Sequence, residues 1–237
     1  MKNLNLLFNK TFYENLDGSG CGDVKSILKD ITSTRFEEED YKKSEVSNEK
    51  FLLRTTYPGL LIGTGNPHGV HDEVSDIAVG FSFDYVTGQP YIPGSSVKGV
   101  LRSHFRQYPE IVMEILNGEG KQIDDVRQIK ALEQEIFDGS DVFLDAVICE
   151  GGAGGLILGE DYITPHKDGP TKNPIPIHIL KVLPGVKFEF RFRLTDGELL
   201  TAADKRVLFE ELITLFGAGA KTNVGYGVFE RDNGSAQ

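Results

Sequence analysis

Residues 187–194, Lys-Phe-Glu-Phe-Arg-Phe-Arg-Leu, alternate without a break: Phe188, Phe190, Phe192 and Leu194 on one side, Glu189, Arg191 and Arg193 on the other. Only an extended chain sends alternate residues to opposite faces, so this segment is a strand with one apolar and one wetted face. Three phenylalanines on one face demand a cover. Just downstream, Leu208, Phe209, Leu212, Ile213, Leu215 and Phe216 recur at helical spacing behind a Thr201/Asp204 capping-box start, predicting a helix over 201–216 with a broad apolar stripe.

Other segments fall into place around that pair. Residues 51–65 read as a strand broken by Pro58-Gly59, 77–92 as short strand pieces with a turn at 87–90, and 95–108 as a helix. Helical patches follow at 110–116 and 124–137, then strands at 142–148, 156–164 and 175–182, and a final strand at 224–230 after the Gly-rich stretch 217–224. Short amphipathic helices are expected at 4–16 and 23–35. With insertions removed, the order is βαββαβ, the order of a ferredoxin-like (RRM-type) α+β fold with two helices on one face of an antiparallel sheet. The expected organisation is a helical N-terminal extension over 1–50 and a main domain over 51–237, with insertions at about 109–141 and 150–182.

Charge restricts what such a chain can bind. Lys plus Arg is 25 against 36 Asp plus Glu, a formal net charge of -11, which excludes an indiscriminate binder of polyanions. Any polyanion site must be a local patch. The acid excess is concentrated partly between Glu37 and Glu49, where Glu37, Glu38, Glu39, Asp40, Glu45 and Glu49 face only Lys42 and Lys43, a solvated helix face or linker. Cys21 and Cys149 are far apart and suit a reducing compartment. Asn5 and Asn9 interrupt the apolar run at the start, and no stretch approaches about 18 uninterrupted apolar residues. The expectation is a cytoplasmic protein with no membrane partner.

Two segments stand apart from the acidic body. Gly94 to Arg106 holds Lys98, Arg102 and Arg106 at i, i+4 and i+8 and no acid, with Ser95 and Ser96 placed to cap the helix. Serine hydroxyls and free amides at a helix start are donors for a phosphate; alternatively, this is an ordinary amphipathic helix whose cations pair with carboxylates elsewhere. His104 falls on its apolar face and reads as a satisfied core residue. The second segment, 215–227, carries Gly217, Gly219, Gly225 and Gly227 with Lys221 and Asn223 displayed between them. Ala220-Lys221-Thr222 is not a nucleotide-binding P-loop: Ala220 stands where that motif needs glycine, and the chain runs helix–loop–strand instead of strand–loop–helix. Glycines here permit close backbone approach, and a loop of this kind can track an RNA strand.

Other candidates are weaker. Gly151–Gly155 reads as a hairpin tip, and the Pro-rich loop from Thr164 to Pro176, with His166, Lys167 and Lys172, as a surface loop. His68-x-x-His71-Asp72 has no third His or Cys at zinc spacing, so no metal is expected; His68 or His71 as a general acid or base is the enzymatic alternative. No hydrolase elbow, His-Glu-x-x-His or Cys–His signature is present, and neither a catalytic residue nor a cofactor is assigned.

Phe216-Gly217-Ala218-Gly219-Ala220-Lys221-Thr222-Asn223-Val224-Gly225-Tyr226-Gly227 resembles the C-terminal Gly-rich loop of the RAMP superfamily of CRISPR-associated RNA-binding proteins, and Tyr91-Ile92-Pro93-Gly94-Ser95-Ser96-Val97-Lys98-Gly99 with Leu101-Arg102 resembles its internal motif at the first helix. Gly63-Thr64-Gly65, Phe81-Ser82-Phe83-Asp84 to Gly88, and Asp161 to His166 are most similar to the sixth-subunit family of type III-B (Cmr) effector complexes. The resemblance spans about residues 50–230. It implies a ferredoxin-like fold and a non-catalytic subunit capping the head of an RNA-guided complex near the 3′ part of the guide RNA. The implied partners are guide and target RNA, backbone subunit four, small subunit five and cap subunit one. Cleavage in such complexes belongs to an Asp of the repeated backbone subunit, and neither Asp23 nor Asp72 sits in a matching motif. The RNA contacts implied are Ser95, Ser96, Lys98, Arg102, Arg106, Gly217, Gly219, Lys221 and Asn223. The alternative within the superfamily is an endoribonuclease processing guide precursors, or another backbone subunit.

Overall fold

A computed structural model describes residues 3–12, 24–37, 46–65, 79–164 and 176–232. The alternating Phe segment is β7 (Lys187–Arg193), and it sits inside the main sheet. On one side it pairs antiparallel with β1 (Glu49–Thr55), which pairs in turn with β8 (Phe229–Arg231). On the other it pairs with β3 (Val142–Phe143) and β4 (Ala146–Glu150), and β4 pairs with the two-residue edge strand β2 (Tyr91–Ile92). The order β2-β4-β7-β1-β8 is antiparallel throughout, the mixed α+β architecture expected from the sequence.

Register explains the core. Phe51 opposes Phe190 and Leu53 opposes Phe188 across the β1–β7 pair, and all four side chains are buried. Their alternates Lys50 and Glu189 form an ion pair of 3.0 Å on the open face. Over the buried face lie α6 (Ala202–Phe216), through Leu208, Phe209, Leu212 and Ile213, and α3 (Gly94–Gln107), through Val97, Leu101 and Phe105. The Thr201/Asp204 capping box starts α6 as read: Asp204 N–H donates to Thr201 Oγ1 (3.2 Å) and Thr201 N–H to the Asp204 carboxylate (2.8 Å). Between these helices come α4 (Pro109–Gly118) and α5 (Val126–Asp138), the latter opened by a second capping box, Asp125 with Gln128. Lys205, 1% exposed, donates to Asp141 (2.7 Å) and to the Thr195 carbonyl (2.9 Å), so the cation buried in α6 is fully partnered.

A separate two-stranded sheet, β5 (Leu158–Ile163) with β6 (Ile177–Val182), forms the second layer. At the N-terminus, α1 (Leu4–Leu6) continues as a π-turn over Leu7–Thr11; of the helix expected over 4–16, residues 13–16 lie outside the described part. Phe8 packs against Phe83 at 5.4 Å between ring centroids, and α2 (Val24–Thr32) adds Ile27, Leu28 and Ile31 to the core.

Three expected strands are interrupted, each for a local reason. The strand expected over 51–65 stops at Thr55 because Pro58 has no N–H to give and Gly59 turns at φ +122°; Leu60 then pairs with Val182 of β6, so the chain crosses from one sheet to the other. The one expected over 142–148 breaks at Leu144-Asp145, freeing the Asp145 carboxylate to accept from Gly94 N–H at 2.7 Å. The last, expected over 224–230, is only Phe229–Arg231, because Thr222–Val224 form a 3₁₀ turn and Gly225 and Gly227 adopt positive φ.

His104 is buried as expected but not satisfied. It is 9% exposed, its ring stacks on Phe216 (4.5 Å) near Tyr108 (6.3 Å), and neither ring nitrogen has a hydrogen-bond partner. Burial alone lowers its pKa from 6.5, so the folded protein holds it neutral. Below about pH 6.5 the unfolded chain binds a proton there that the folded chain refuses, so stability falls as pH drops through that window, by at most about 1.4 kcal/mol per pH unit. His104→Phe, which keeps the stack and removes the titration, is expected to flatten that part of the stability curve measured by urea unfolding from pH 7 to 5.

Candidate functional site

The two motif segments meet. Residues 217–228, between α6 and β8, lie along residues 59–61 through backbone contacts: Ala218 N–H donates to Gly227 O (2.9 Å), Ala220 N–H to Leu61 O (2.9 Å) and Gly227 N–H to Gly59 O (2.8 Å). Side chains are excluded from these contacts. A Cβ at Gly219 would stand 2.6 Å from the Leu61 carbonyl oxygen, and one at Gly227 would stand 1.9 Å from that of Ala218.

Beside this seam opens a groove of about 560 Å³ lined by Leu61–Gly65, Ser82, the α3 start with Ser96, Gly99 and Val100, and Gly219-Ala220. Glycines, Thr64, Ser82, Ser96 and Ala220 alternate on its walls with the apolar Leu61, Ile62, Ile92, Pro93 and Val100, and among the described residues no titratable side chain lines it. The stretches that carry most of its lining, Phe51–Gly65, Tyr91–Gln107 and Leu215–Phe229, contain no Asp or Glu, while Ser82 stands two residues from Asp84. In a chain of net charge -11, stretches without acids are where a polyanion meets less repulsion.

The predicted cations divide. Lys221 and Asn223 are exposed on the loop next to the groove, and Lys221 is held in the left-handed region (φ 60°), the one non-glycine residue with positive φ among the described residues. Gly217, also at positive φ, ends α6 against the Gly227 carbonyl. Arg102 and Arg106 lie on the opposite flank of α3, facing α5. Arg102 makes two hydrogen bonds to Asp138 (2.8 and 2.7 Å) and one to Glu133 (2.5 Å), and Arg106 reaches Glu133 at 2.9 Å. Burial opposes ionisation of Glu133, yet the two guanidinium bonds outweigh it and hold its carboxyl below the ordinary value. Lys98 shares that flank, its Nζ 5.7 Å from the centre of the Phe143 ring. This half of the basic stripe takes the ordinary form, cations paired with carboxylates of a neighbouring helix.

The start of α3 also differs from the reading. Pro93 is the cap residue and makes no side-chain cap; Asp145 accepts from Gly94 N–H, and Ser95 and Ser96 are exposed in the first turn. A carboxylate therefore already sits at this helix terminus, and of the two serines Ser96 lines the groove. Sequence reasoning missed Gly99, a helix-interior glycine whose Cβ direction meets nothing within 4 Å. A glycine inside a regular helix, where alanine would be preferred, was the available signal. His68, His71, Asp72, Asp23, His166, Lys167 and Lys172 lie outside the described residues, and among the described residues no group of three potential metal ligands is found.

The loop is braced from the hairpin side. Tyr226 donates to Asp161 (2.8 Å), which also accepts from Lys181 (2.6 Å). Burial works against ionisation of Asp161, but the two donors prevail and lower its pKa; burial and the bond to Asp161 push the Tyr226 phenol up.

A sequence model of the RAMP superfamily matches residues 52–230, the span of both motifs and the groove. The chain belongs to the RAMP superfamily. Among RAMP-related proteins it is similar to the CRISPR system CMR subunit Cmr6 of Saccharolobus solfataricus, 29% identical over 155 residues, which is 64% of this chain and 48% of the relative. The chain thus spans about half the length of that curated relative. A chain of the type III-B Cmr-beta complex bound to cognate target RNA, solved by cryo-electron microscopy, shares its fold at a TM-score of 0.54 and 24% identity, over 76% of this chain and 57% of that one. The crystal structure of Cmr6 from Pyrococcus furiosus gives a TM-score of 0.47 and 22% identity over 78% and 97%. Among the described residues no helix is long and apolar enough to cross a membrane.

Gly99 and Gly94 make opposite predictions. Gly99→Ala, with space for the methyl, is expected to stabilise the chain by about 0.5–1 kcal/mol. Gly94→Ala would bring a Cβ to 2.2 Å from the Phe143 carbonyl oxygen and should destabilise it. Thermal unfolding of the two variants checks both signs.

Proposed function

We propose that this RAMP protein is a non-catalytic, RNA-binding structural subunit of a type III-B CRISPR (Cmr) effector complex, of the Cmr6 kind. It caps the head of the complex and holds the 3′ part of the guide RNA during target-RNA interference. The observation that carries the reading is the groove in which the α3 start and the Gly-rich loop converge, free of acids among the described residues that line it. The glycines and hydroxyl residues of its walls leave backbone and hydroxyl groups within reach of an extended sugar–phosphate chain. The similarity to Cmr6 of Saccharolobus solfataricus supports the subunit type, and the likeness to a chain of a target-bound Cmr complex supports the fold that reading requires. The order β4-β7-β1-β8, with α3 following β1 and α6 following β7, supports the ferredoxin-like reading of the sheet.

In this reading Lys221 and Asn223 hold phosphates from the loop, the Gly217–Gly219 backbone lets the strand approach, and Ser95 and Ser96 donate from the helix side. Lys98 adds a longer-range positive charge, while Arg102 and Arg106 fix α5 on α3 and act on RNA only through that placement. The partners are guide and target RNA with subunits four, five and one of the complex, in the cytoplasm.

The test is ultraviolet crosslinking of the assembled complex with peptide mapping. Guide-RNA crosslinks within 94–100 and 217–227 are expected, and their absence from this chain would overturn the reading. Lys221→Ala should weaken single-stranded RNA binding and lower the slope of log K against log salt by about 0.7, the loss of one phosphate contact. An unchanged slope removes Lys221 from the site.

A further inference from the structure

Tyr57 is 84% exposed, yet it stands on one of the most firmly tied turns in the molecule. Thr56 N–H donates to Val228 O (3.0 Å), Leu60 and Val182 exchange both backbone hydrogen bonds (3.0 and 2.9 Å), and the Gly59 carbonyl accepts from Gly227. A Cβ at Gly59 would stand 2.2 Å from the Val182 carbonyl oxygen, so the turn is seated without slack on the end of β6. The fold thus fixes the backbone of an aromatic residue while leaving its side chain in solvent, which reduces the ordering cost of any contact that ring makes.

Its neighbours indicate what that contact is. The missing Cβ of Gly225 would sit 3.6 Å from Pro58 Cδ, bringing the tip of the Gly-rich loop against the turn. On that tip Val224 is exposed, as are Lys221 and Asn223, and Val228 beside Thr56 is partly so. Neither Phe51–Gly65 nor Leu215–Phe229 contains an acid, and the carboxylate bonded to this loop, Asp161, is balanced by Lys181. A flat aromatic ring with small apolar neighbours, a cation and an amide is the composition of a platform for single-stranded nucleic acid: bases stack on the ring whatever their sequence, and the cation follows the phosphates.

We propose that Tyr57 is a stacking platform for an unpaired base of the RNA strand whose phosphates run over Lys221 to Val224. This deepens the RNA-binding reading and rests on it. The stacking partner is a nucleobase, and the ring, not the hydroxyl, makes the contact.

The chain contains no tryptophan, so Tyr57→Trp introduces a single indole. The full chain is titrated with a short single-stranded oligoribonucleotide and with an abasic ribose-phosphate chain of equal length, and the RNA arm is repeated in the assembled complex. The RNA should quench the indole and the abasic chain should not. Tyr57→Ala should bind RNA about tenfold more weakly with unchanged affinity for the abasic chain, and Tyr57→Phe should match wild type. Tyr85→Ala, removing an equally exposed tyrosine that stands on neither the 55–61 turn nor the Gly-rich loop, should leave both affinities unchanged. If Tyr57→Ala binds RNA like wild type while Lys221→Ala is weakened, stacking is overturned and the RNA reading stands. If Tyr57→Ala loses companion subunits at unchanged RNA affinity, the patch is a protein contact and the proposal falls. If wild type binds neither chain and carries no RNA in the complex, both readings fall together.

Discussion

The contact on which the site depends is made by backbone alone. Ala218, Ala220 and Gly227 hydrogen-bond to one another's loop and to Gly59 and Leu61, at separations that leave no space for a Cβ at Gly219 or Gly227. That requirement accounts for the glycine pattern of the loop better than flexibility does: the loop is a closely fitted piece that only glycine can enter. Once it is seated, Lys221 is forced outward at the tip and the groove acquires its second wall.

Electrostatics divides the molecule into two regimes. Several cations are consumed internally: Arg102 and Arg106 by Glu133 and Asp138, Lys205 by Asp141, Arg54 and Lys187 by Glu150 and Asp232. The last cluster pulls the Asp232 carboxyl down to about 2, chiefly through its bonds to Lys187 and Arg54. Each such pair removes a positive charge from the reach of a polyanion in a chain that already carries an acid excess. Its polyanion surface is therefore defined more by where acids are missing than by where bases are dense.

The β7 alternation, the α6 stripe with its Thr201 cap, and the helices at 109–118 and 126–138 were legible because each rests on a local period or cap. The two glycine-bearing motifs were legible as motifs, and so was the span of the family resemblance, about 50–230 against a matched 52–230. What was not legible depends on distant partners. Nothing near Arg102 in sequence announces Asp138, and nothing at Gly94 announces that Asp145 will cap it. The lysine–arginine stripe on α3 stayed open between phosphate contact and internal pairing, because the partners of its two arginines lie on a helix some thirty residues downstream. His104 was placed correctly on the apolar face, but its lack of any partner follows from Tyr108 and Phe216 closing around it, which no period encodes.

The hairpin of β5 and β6 is wired into the Gly-rich loop at both ends of the contact, through Val182 to the turn at Leu60 and through Asp161 to Tyr226. A minimal version of this domain, trimmed of 158–182 as a dispensable decoration, would therefore lose the floor under Gly59 and the anchor of Tyr226 together. The hairpin works as a splint: the strands that hold the turn at Leu60 and the phenol of Tyr226 also set where the loop and the groove wall stand.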